Sequence, residues 1–139
     1  EKLKEDICKR INIIAELLEV ISPLAKQRIE KVKSCLQDKL AELESKNIDE
    51  NRFEQELIYY LEKQDITEEQ VRLSIHLNYF LETIEAGSPI GKKLGFISQE
   101  IGREINTIGS KSSEAGMQKV VVEMKDELEK IKEQLLNVL

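Results

Sequence analysis

The residues best suited to chemistry lie on one predicted helix between Pro89 and Ser112, which reads PIGKKLGFISQEIGREINTIGSKS. Glu100 and Glu104 are four residues apart and are therefore neighbours on one helix face. Glu54, on a second predicted helix, could complete a set of carboxylates, whose oxygens suit Mg²⁺ or Mn²⁺ better than Zn²⁺. Such a set could hold a metal ion that activates water and neutralises developing charge, as hydrolysis of a phosphodiester requires.

Basic side chains in and beside the same helix could bind phosphate. They are Lys92, Lys93, Arg103 and Lys111. Arg103 could do so through two hydrogen bonds. The whole chain has 21 Lys and Arg against 27 Asp and Glu, a formal net charge of −6, so a uniformly basic binding surface is excluded. Phosphate contacts would have to be local, and the alternative is an ordinary solvated helix face.

Each candidate residue also has a structural interpretation. Glu100 can pair with Arg103 or Lys93, and Glu54 with neighbouring lysines, in surface ion pairs that are worth little free energy. His76 is the only histidine, and it could be a general base, a metal ligand or a half-buried structural residue. No serine or cysteine has a recognisable nucleophilic setting.

The helix that carries these residues has two further faces. Five apolar residues form a narrow stripe that we expect to be buried: Leu94, Ile97, Ile101, Ile105 and Ile108. Beside the stripe lies a run of small residues: Gly91, Gly95, Ser98, Gly102 and Gly109. Interior glycine costs about 1 kcal/mol relative to alanine. The run therefore predicts either close helix packing, its more common use, or a ligand contact.

The composition predicts an all-α fold, because leucine, isoleucine, lysine and glutamate dominate and tryptophan is absent. Residues 1–50 read as a long helical arm that is broken or kinked at Ser22-Pro23. Residues 51–139 read as a helix ending near Gln64, one from Thr67 to Ala86 with a Thr67/Gln70 capping box, the helix described above and a last helix with a heptad seam. We expect an elongated helical hairpin or bundle of about five to six helices.

Two features bear on the compartment. No apolar run approaches the roughly 20 residues needed to span a bilayer, and no secretory signal is present. Cys8 and Cys35 lack a CxxC partner or a histidine cluster, so we expect buried or half-buried reduced thiols. A cytoplasmic protein without membrane contact fits both observations.

Three separated segments resemble one known family. Two of them, GKKLGFISQEIGREINTIGSKS (91–112) and VVVEMKDELEKIKEQLLN (120–137), look like the C-terminal signature of the YicC/YloC family of bacterial endoribonucleases. The third, NRFEQELIYYLEKQDITEEQVRLSIHL (51–77), is similar to the segment that precedes that signature. The resemblance implies a hydrolase that cleaves phosphodiester bonds in RNA and a functional role for the signature helix.

Chemistry and resemblance together give a predicted site. We expect His76, Glu100 and Glu104 to be catalytic, and Glu54, Glu100 and Glu104 to bind Mn²⁺ or Mg²⁺. The four basic residues named above are expected to bind RNA phosphates.

Family members have a further N-terminal half, and this chain opens on EKLKED without methionine. The resemblance therefore implies a C-terminal fragment whose partners are RNA, that N-terminal half and further copies in a homo-oligomer. The first alternative is a non-catalytic helical module that oligomerises or presents RNA to the N-terminal half. The second is a coiled-coil adaptor that binds proteins. These readings differ on whether Glu54, Glu100 and Glu104 converge in space.

Overall fold

The computed structural model describes residues 2–44, 50–87 and 91–138. These residues are all-α, as predicted, and contain no strand. Five helices follow one another: α1 (Lys2–Glu44), α2 (Glu50–Gln64), α3 (Thr67–Ala86), α4 (Gly91–Lys111) and α5 (Ala115–Val138). The predicted number of five to six falls to five because the first two predicted helices are one.

Of the predicted break or kink at Ser22-Pro23, the break does not occur, because α1 runs through Pro23 as a single helix of 43 residues. Its length is about 65 Å at 1.5 Å per residue. Proline removes the backbone hydrogen bond to the carbonyl four residues earlier. Here both Pro23 and Glu19 are exposed, so water can satisfy that carbonyl and the helix continues.

The N-terminal half of α1 forms an antiparallel four-helix bundle with α3, α4 and α5. Ion pairs fix the directions, since Arg10 near the start of α1 meets Glu127 in the second half of α5 at 2.9 Å. Lys4 lies 3.6 Å from Glu85 near the end of α3. Antiparallel neighbours of this kind are the usual result of short helix connections.

The core of the bundle contains the predicted apolar faces. The stripe of α4 is fully buried, and so are the described heptad residues of α5: Met117, Val121, Met124, Leu128, Ile131 and Leu135. The partner helices of the heptad seam are therefore α1 and α4 of the same chain. Phe80, which the sequence reasoning did not place, is also fully buried.

Beyond Arg28, the second half of α1 extends past the bundle and pairs with α2. Its apolar residues, such as Val32 and Leu36, face Phe53 and Leu57 of α2 across a shallow groove. All four side chains are only half-buried, because two helices cannot enclose a core. The helical spacing of this segment also predicts that Leu40 and Leu43 point inward, and their side chains lie outside the part of the structure that is described.

The two cysteines lie at different depths. Cys8 is half-buried, as predicted, and burial raises the pKa of its thiol. Cys35 is exposed, contrary to the prediction, because it lies on the part of α1 that extends beyond the bundle. Both thiols are free.

The run of small residues on α4 faces α5, and it packs closely at two of its positions. A Cβ atom on Gly109 would lie 3.1 Å from Cγ1 of Val121, and one on Gly102 would lie 3.3 Å from Cδ2 of Leu128. A Cβ atom on Gly95 would meet nothing within 4 Å. The prediction of close helix packing is therefore confirmed at Gly102 and Gly109, and it fails at Gly95.

This difference predicts opposite effects of alanine at Gly95 and Gly109. Alanine favours the helical backbone over glycine by up to about 1 kcal/mol. We expect Gly95→Ala to raise the free energy of unfolding by about that amount, whereas Gly109→Ala should lower it because Val121 must move. Urea denaturation of both variants would measure this, and a gain at Gly109 as large as at Gly95 would contradict the packing described.

The start of α3 is capped in a different way from the predicted Thr67/Gln70 box. Ile66 occupies the cap position, and its own side chain makes no cap hydrogen bond. Instead Oδ1 of Asp65 accepts hydrogen bonds from the backbone N–H and the hydroxyl of Thr67, at 2.9 and 2.5 Å. The hydroxyl bond, the N–H bond and the nearby Lys111 hold the pKa of Asp65 below its usual value.

We expect this cap to add to the acid sensitivity of the fold. Because the pKa of Asp65 is lower in the folded chain, its carboxylate stabilises the fold above about pH 4 and loses that effect as the pH falls through the folded-state pKa. In Asp65→Asn the amide oxygen still accepts both bonds but does not titrate. Urea denaturation between about pH 4 and 2 should show a shallower loss of stability in the variant, and equal slopes would contradict the prediction.

Candidate functional site

The charged edge of α4 packs against α3, and together they form a polar seam. We call this contact the α3/α4 seam, with Glu69, Arg72, His76 and Tyr79 from α3 and Lys93, Glu100, Glu104 and Lys111 from α4. Three cross-helix contacts fix its register: Lys111 with Glu69, Arg72 with Glu104, and Lys93 with Tyr79.

Arg72 is the centre of the seam. Its Nε atom donates to Oε1 of Glu104 at 3.0 Å, and its other guanidinium nitrogens lie 3.2 Å from Glu68 and 3.7 Å from Glu69. The hydrogen bond to Glu104 raises the pKa of the Arg72 guanidinium above its usual value. Glu104 is itself only 8% exposed, and among the described residues its second oxygen, Oε2, is buried without a hydrogen-bond partner. Glu104 is thus fixed in place and keeps one oxygen free for a further donor.

Lys111, predicted to bind phosphate, is engaged within the chain. Its ammonium lies 2.9 Å from Oε1 of Glu69, whose side chain is 4% exposed, and donates to the carbonyl of Asp65 at 3.1 Å. A buried carboxylate requires such a partner. The structure therefore gives Lys111 a role in joining α4 to the start of α3.

His76 and Glu100 occupy the middle of the seam. His76 follows Arg72 by four residues and precedes Tyr79 by three, while Glu100 precedes Glu104 by four, so periodicity places both on the facing edges. Each side chain is partly exposed. Glu100 makes an ion pair of 3.6 Å with Arg103, one of the alternatives considered above. Within the described residues, His76 has no ion pair or hydrogen bond. Helical spacing therefore places the three residues predicted to be catalytic along the same seam.

Glu54 does not join them. It lies on α2, which packs on the second half of α1, whereas Glu104 lies on α4 in the bundle. The ends of α2 and α4 meet at Arg28 and the two helices extend from there in opposite directions, which separates the carboxylates by roughly 25 Å at 1.5 Å per residue. The described residues contain no cluster of three or more His, Cys, Asp and Glu side chains that could hold a metal ion. The three predicted ligands therefore do not form one metal site within this part of the chain.

The remaining predicted phosphate ligands lie on the outside of α4. Lys92 and Lys93 are exposed, and the ammonium of Lys93 lies 4.9 Å from the ring centroid of Tyr79. The side chain of Arg103 is 78% exposed. These three cations are available to a ligand that approaches α4 from solvent.

Arg28 is a buried cation that the sequence reasoning missed. It is 5% exposed. Its guanidinium donates to the carbonyl of Lys111 at 2.7 Å, to the carboxylate of Glu114 at 3.1 Å and to the carbonyl of Gln64. It therefore satisfies the terminal carbonyls of two helices and joins α1 to α2, α4 and the start of α5.

The Arg72 cluster left a recognisable pattern in the sequence, and Arg28 did not. Glutamates three and four residues before an arginine, as in Glu68, Glu69 and Arg72, are typical of ion pairs on one helix. The partners of Arg28 lie 36 to 86 residues away in the sequence, so no local spacing pattern predicts these contacts.

Fold and site define an all-α chain in which the α3/α4 seam carries carboxylates, a histidine and exposed cations. The model for the C-terminal region of YicC-like endoribonucleases ("Endoribonuclease YicC-like, C-terminal") matches residues 21–139. This chain therefore belongs to that family, as the resemblance predicted. The match also begins 30 residues before the segment at 51 on which the resemblance rested.

Two curated relatives carry the same description. The chain is 41% identical over 140 residues to a protein of Clostridioides difficile (strain 630) named "Probable endoribonuclease YicC", covering 99% of this chain and 48% of that protein. It is 38% identical over 92 residues to a protein of the same name from Haemophilus influenzae, covering 66% of this chain and 32% of that protein. The chain thus spans less than half the length of these relatives.

Proposed function

We propose that this chain is the C-terminal helical part of an endoribonuclease and that the α3/α4 seam supplies groups essential for cleaving RNA. The observation that carries the proposal is the position of His76, Glu100 and Glu104 along one seam, beside exposed cations. The names of the two relatives support the same reaction class.

The three seam residues differ in what they can do. Glu100 is partly exposed and makes only a long pair with Arg103, so its carboxylate can reach a bound substrate and act as a general base. His76, partly exposed and without an ion pair in the described residues, is the second group that could act as a general acid or base. Glu104, held by Arg72, orients the seam. Lys92, Lys93 and Arg103 would bind the phosphates.

Dependence on Mn²⁺ or Mg²⁺ remains part of the proposal, although Glu54 lies far from the seam. Glu100 offers a partly exposed carboxylate on the seam, the free oxygen of Glu104 is buried close to Arg72, and hard divalent cations also accept water and phosphate oxygens. Further protein ligands would come from another copy or from a part of the protein outside this chain.

A second function, presenting RNA to a catalytic N-terminal half, is favoured by one observation. Glu104 and Lys111, two of the predicted site residues, are engaged in ion pairs that stabilise the bundle. The adaptor reading loses its main support, because the heptad seam of α5 is buried within the chain.

We also propose two protein partners, a second copy of this chain and an N-terminal half. The half-buried apolar groove between α1 and α2 suits packing against a second copy, which supports a homo-oligomer. Contact with an N-terminal half follows from the length of the relatives. None of the described helices is both long enough and apolar enough to cross a membrane. We propose a cytoplasmic location because RNA is the substrate.

Cleavage of a short structured RNA would test the main proposal. The full product of the gene that encodes this chain, and the chain alone, should be assayed with Mn²⁺, with Mg²⁺ and with EDTA. We expect metal-dependent cleavage by the full product. Absence of cleavage under all three conditions would overturn the proposed function. Equal cleavage in EDTA would overturn only the proposed metal dependence.

A further inference from the structure

Phe96 lies on the outer face of α4 with 67% of its surface exposed. Its neighbours one turn away on the same face are Lys92, Lys93, Gln99 and Glu100, all polar. The core of a protein–protein interface is apolar and depleted in charge. An exposed aromatic ring beside two lysines, one amide and one carboxylate instead resembles the stacking platforms of proteins that bind single-stranded nucleic acid.

The surroundings of Phe96 carry positive charge although the chain as a whole is negative. Arg103 and Lys92 lie on the same face of α4. Lys132 of α5 reaches over Gly102, where its ammonium would be 3.9 Å from an added Cβ atom. Arg103 pairs with Glu100 and Lys132 with Glu129, while Lys92 and Lys93 add two further cations. The local charge is therefore net positive and complementary to a polyanion.

A second exposed ring lies at the edge of this surface. Tyr79 is 41% exposed, and the ammonium of Lys93 lies 4.9 Å from its ring centroid. Lys93 is three residues from Phe96, so it stands between the two rings. The alternation of ring, cation and ring is typical of surfaces that stack bases and bind phosphates at once.

We propose that this surface, the α4 outer face (Lys92, Lys93, Phe96, Arg103 and the adjoining Tyr79 and Lys132), binds an unpaired stretch of RNA, with one base stacked on Phe96. The inference rests on the proposed function, because it takes RNA as the substrate class, and it adds which RNA is bound and where. Paired bases bury their faces in the helix, so a ring can stack only on an unpaired base. RNA bound here would lie directly beside His76 and Glu100 of the α3/α4 seam.

The chain offers a matched control for Phe96. Tyr59 of α2 is also exposed, at 61%, and the ammonium of Lys63 lies 4.9 Å from its ring. It differs in charge, because α2 carries the acidic residues Glu54, Glu56 and Glu62 nearby. We therefore expect that an exposed ring beside a lysine does not bind RNA where the surrounding residues are acidic. Comparing the two sites separates the effect of the surrounding charge from that of the ring.

The test measures binding of the full gene product, in EDTA, to a 12-nucleotide unpaired RNA that contains 2-aminopurine and to a duplex of the same sequence. Binding of the unpaired RNA should quench the fluorescence. We expect Phe96→Leu to weaken binding about tenfold and to reduce the quenching. Phe96→Trp should retain both, and Tyr59→Leu should bind like the parent. The duplex should bind less tightly and respond little to Phe96.

The outcomes distinguish this inference from the proposed function. Parental affinity in Phe96→Leu, or an equal loss in Tyr59→Leu, would overturn the inference while RNA cleavage by the parent would leave the proposed function standing. Unchanged RNA binding with a change in sedimentation of Phe96→Leu would identify the face as a protein contact and also overturn it. A parent that neither binds nor cleaves RNA would overturn both.

Discussion

Replacing Arg28 with methionine should lower the free energy of unfolding by about 3 kcal/mol, the largest loss of stability that we expect from a single polar residue of this chain. Methionine has similar volume but donates no hydrogen bond. The carbonyls of Gln64 and Lys111 would lose their donor, and Glu114 would lose its cation. Each buried polar atom left without a partner costs about 1–3 kcal/mol.

Urea denaturation measures this loss, and two further variants interpret it. Lys26→Met changes an exposed cation on the same helix and should alter stability by less than about 0.5 kcal/mol. Arg28→Lys keeps the charge, but its three N–H donors share one nitrogen and cannot span the separated acceptors that the planar guanidinium reaches, so this variant should fall between the parent and methionine. Hydrogen exchange should become faster in α2, which Arg28 joins to the bundle. A loss below about 1 kcal/mol in Arg28→Met would show that the contacts described do not stabilise the fold.

Arg28 also illustrates which parts of this fold a sequence can specify. Apolar residues at helical spacing predicted the buried faces of α4 and α5 correctly, because burial of an amphipathic helix depends mainly on its own periodicity. The continuity of α1 through Pro23 was not predictable, because it depends on whether water reaches a carbonyl. The burial of Arg28 depends on three helix ends that only the tertiary fold brings together.

The candidate site shows the same division. The sequence correctly grouped Glu100 and Glu104 on one edge of α4, since helical spacing alone decides that. It could not show that Glu54 lies at the far end of the molecule, because the placement of α2 depends on its packing against α1. Nor could the sequence show that Lys111 already forms an ion pair with Glu69. Local geometry is encoded locally, and the pairing of charges across helices is not.

Replacing Glu100 with glutamine should lower RNA cleavage by the full gene product at least about 100-fold, the usual contribution of a positioned acid–base group. Its stability should change by less than about 0.5 kcal/mol, because the side chain is 45% exposed and its pair with Arg103 is long. Single-turnover cleavage of a structured RNA, with urea denaturation of the same samples, measures both quantities.

Glu104→Gln provides the contrast, because Glu104 is buried against Arg72. This variant should lose about 1 kcal/mol of stability in addition to any loss of activity, so its kinetics alone cannot separate the two roles. Glu100→Gln can, and Glu123→Gln, an exposed position on α5, is the matched control expected to cleave normally. If Glu100→Gln cleaved RNA at the parental rate, the catalytic groups would have to lie outside the α3/α4 seam. The chain would then serve to present RNA, because the exposed cations of α4 would keep their role while the carboxylate had none.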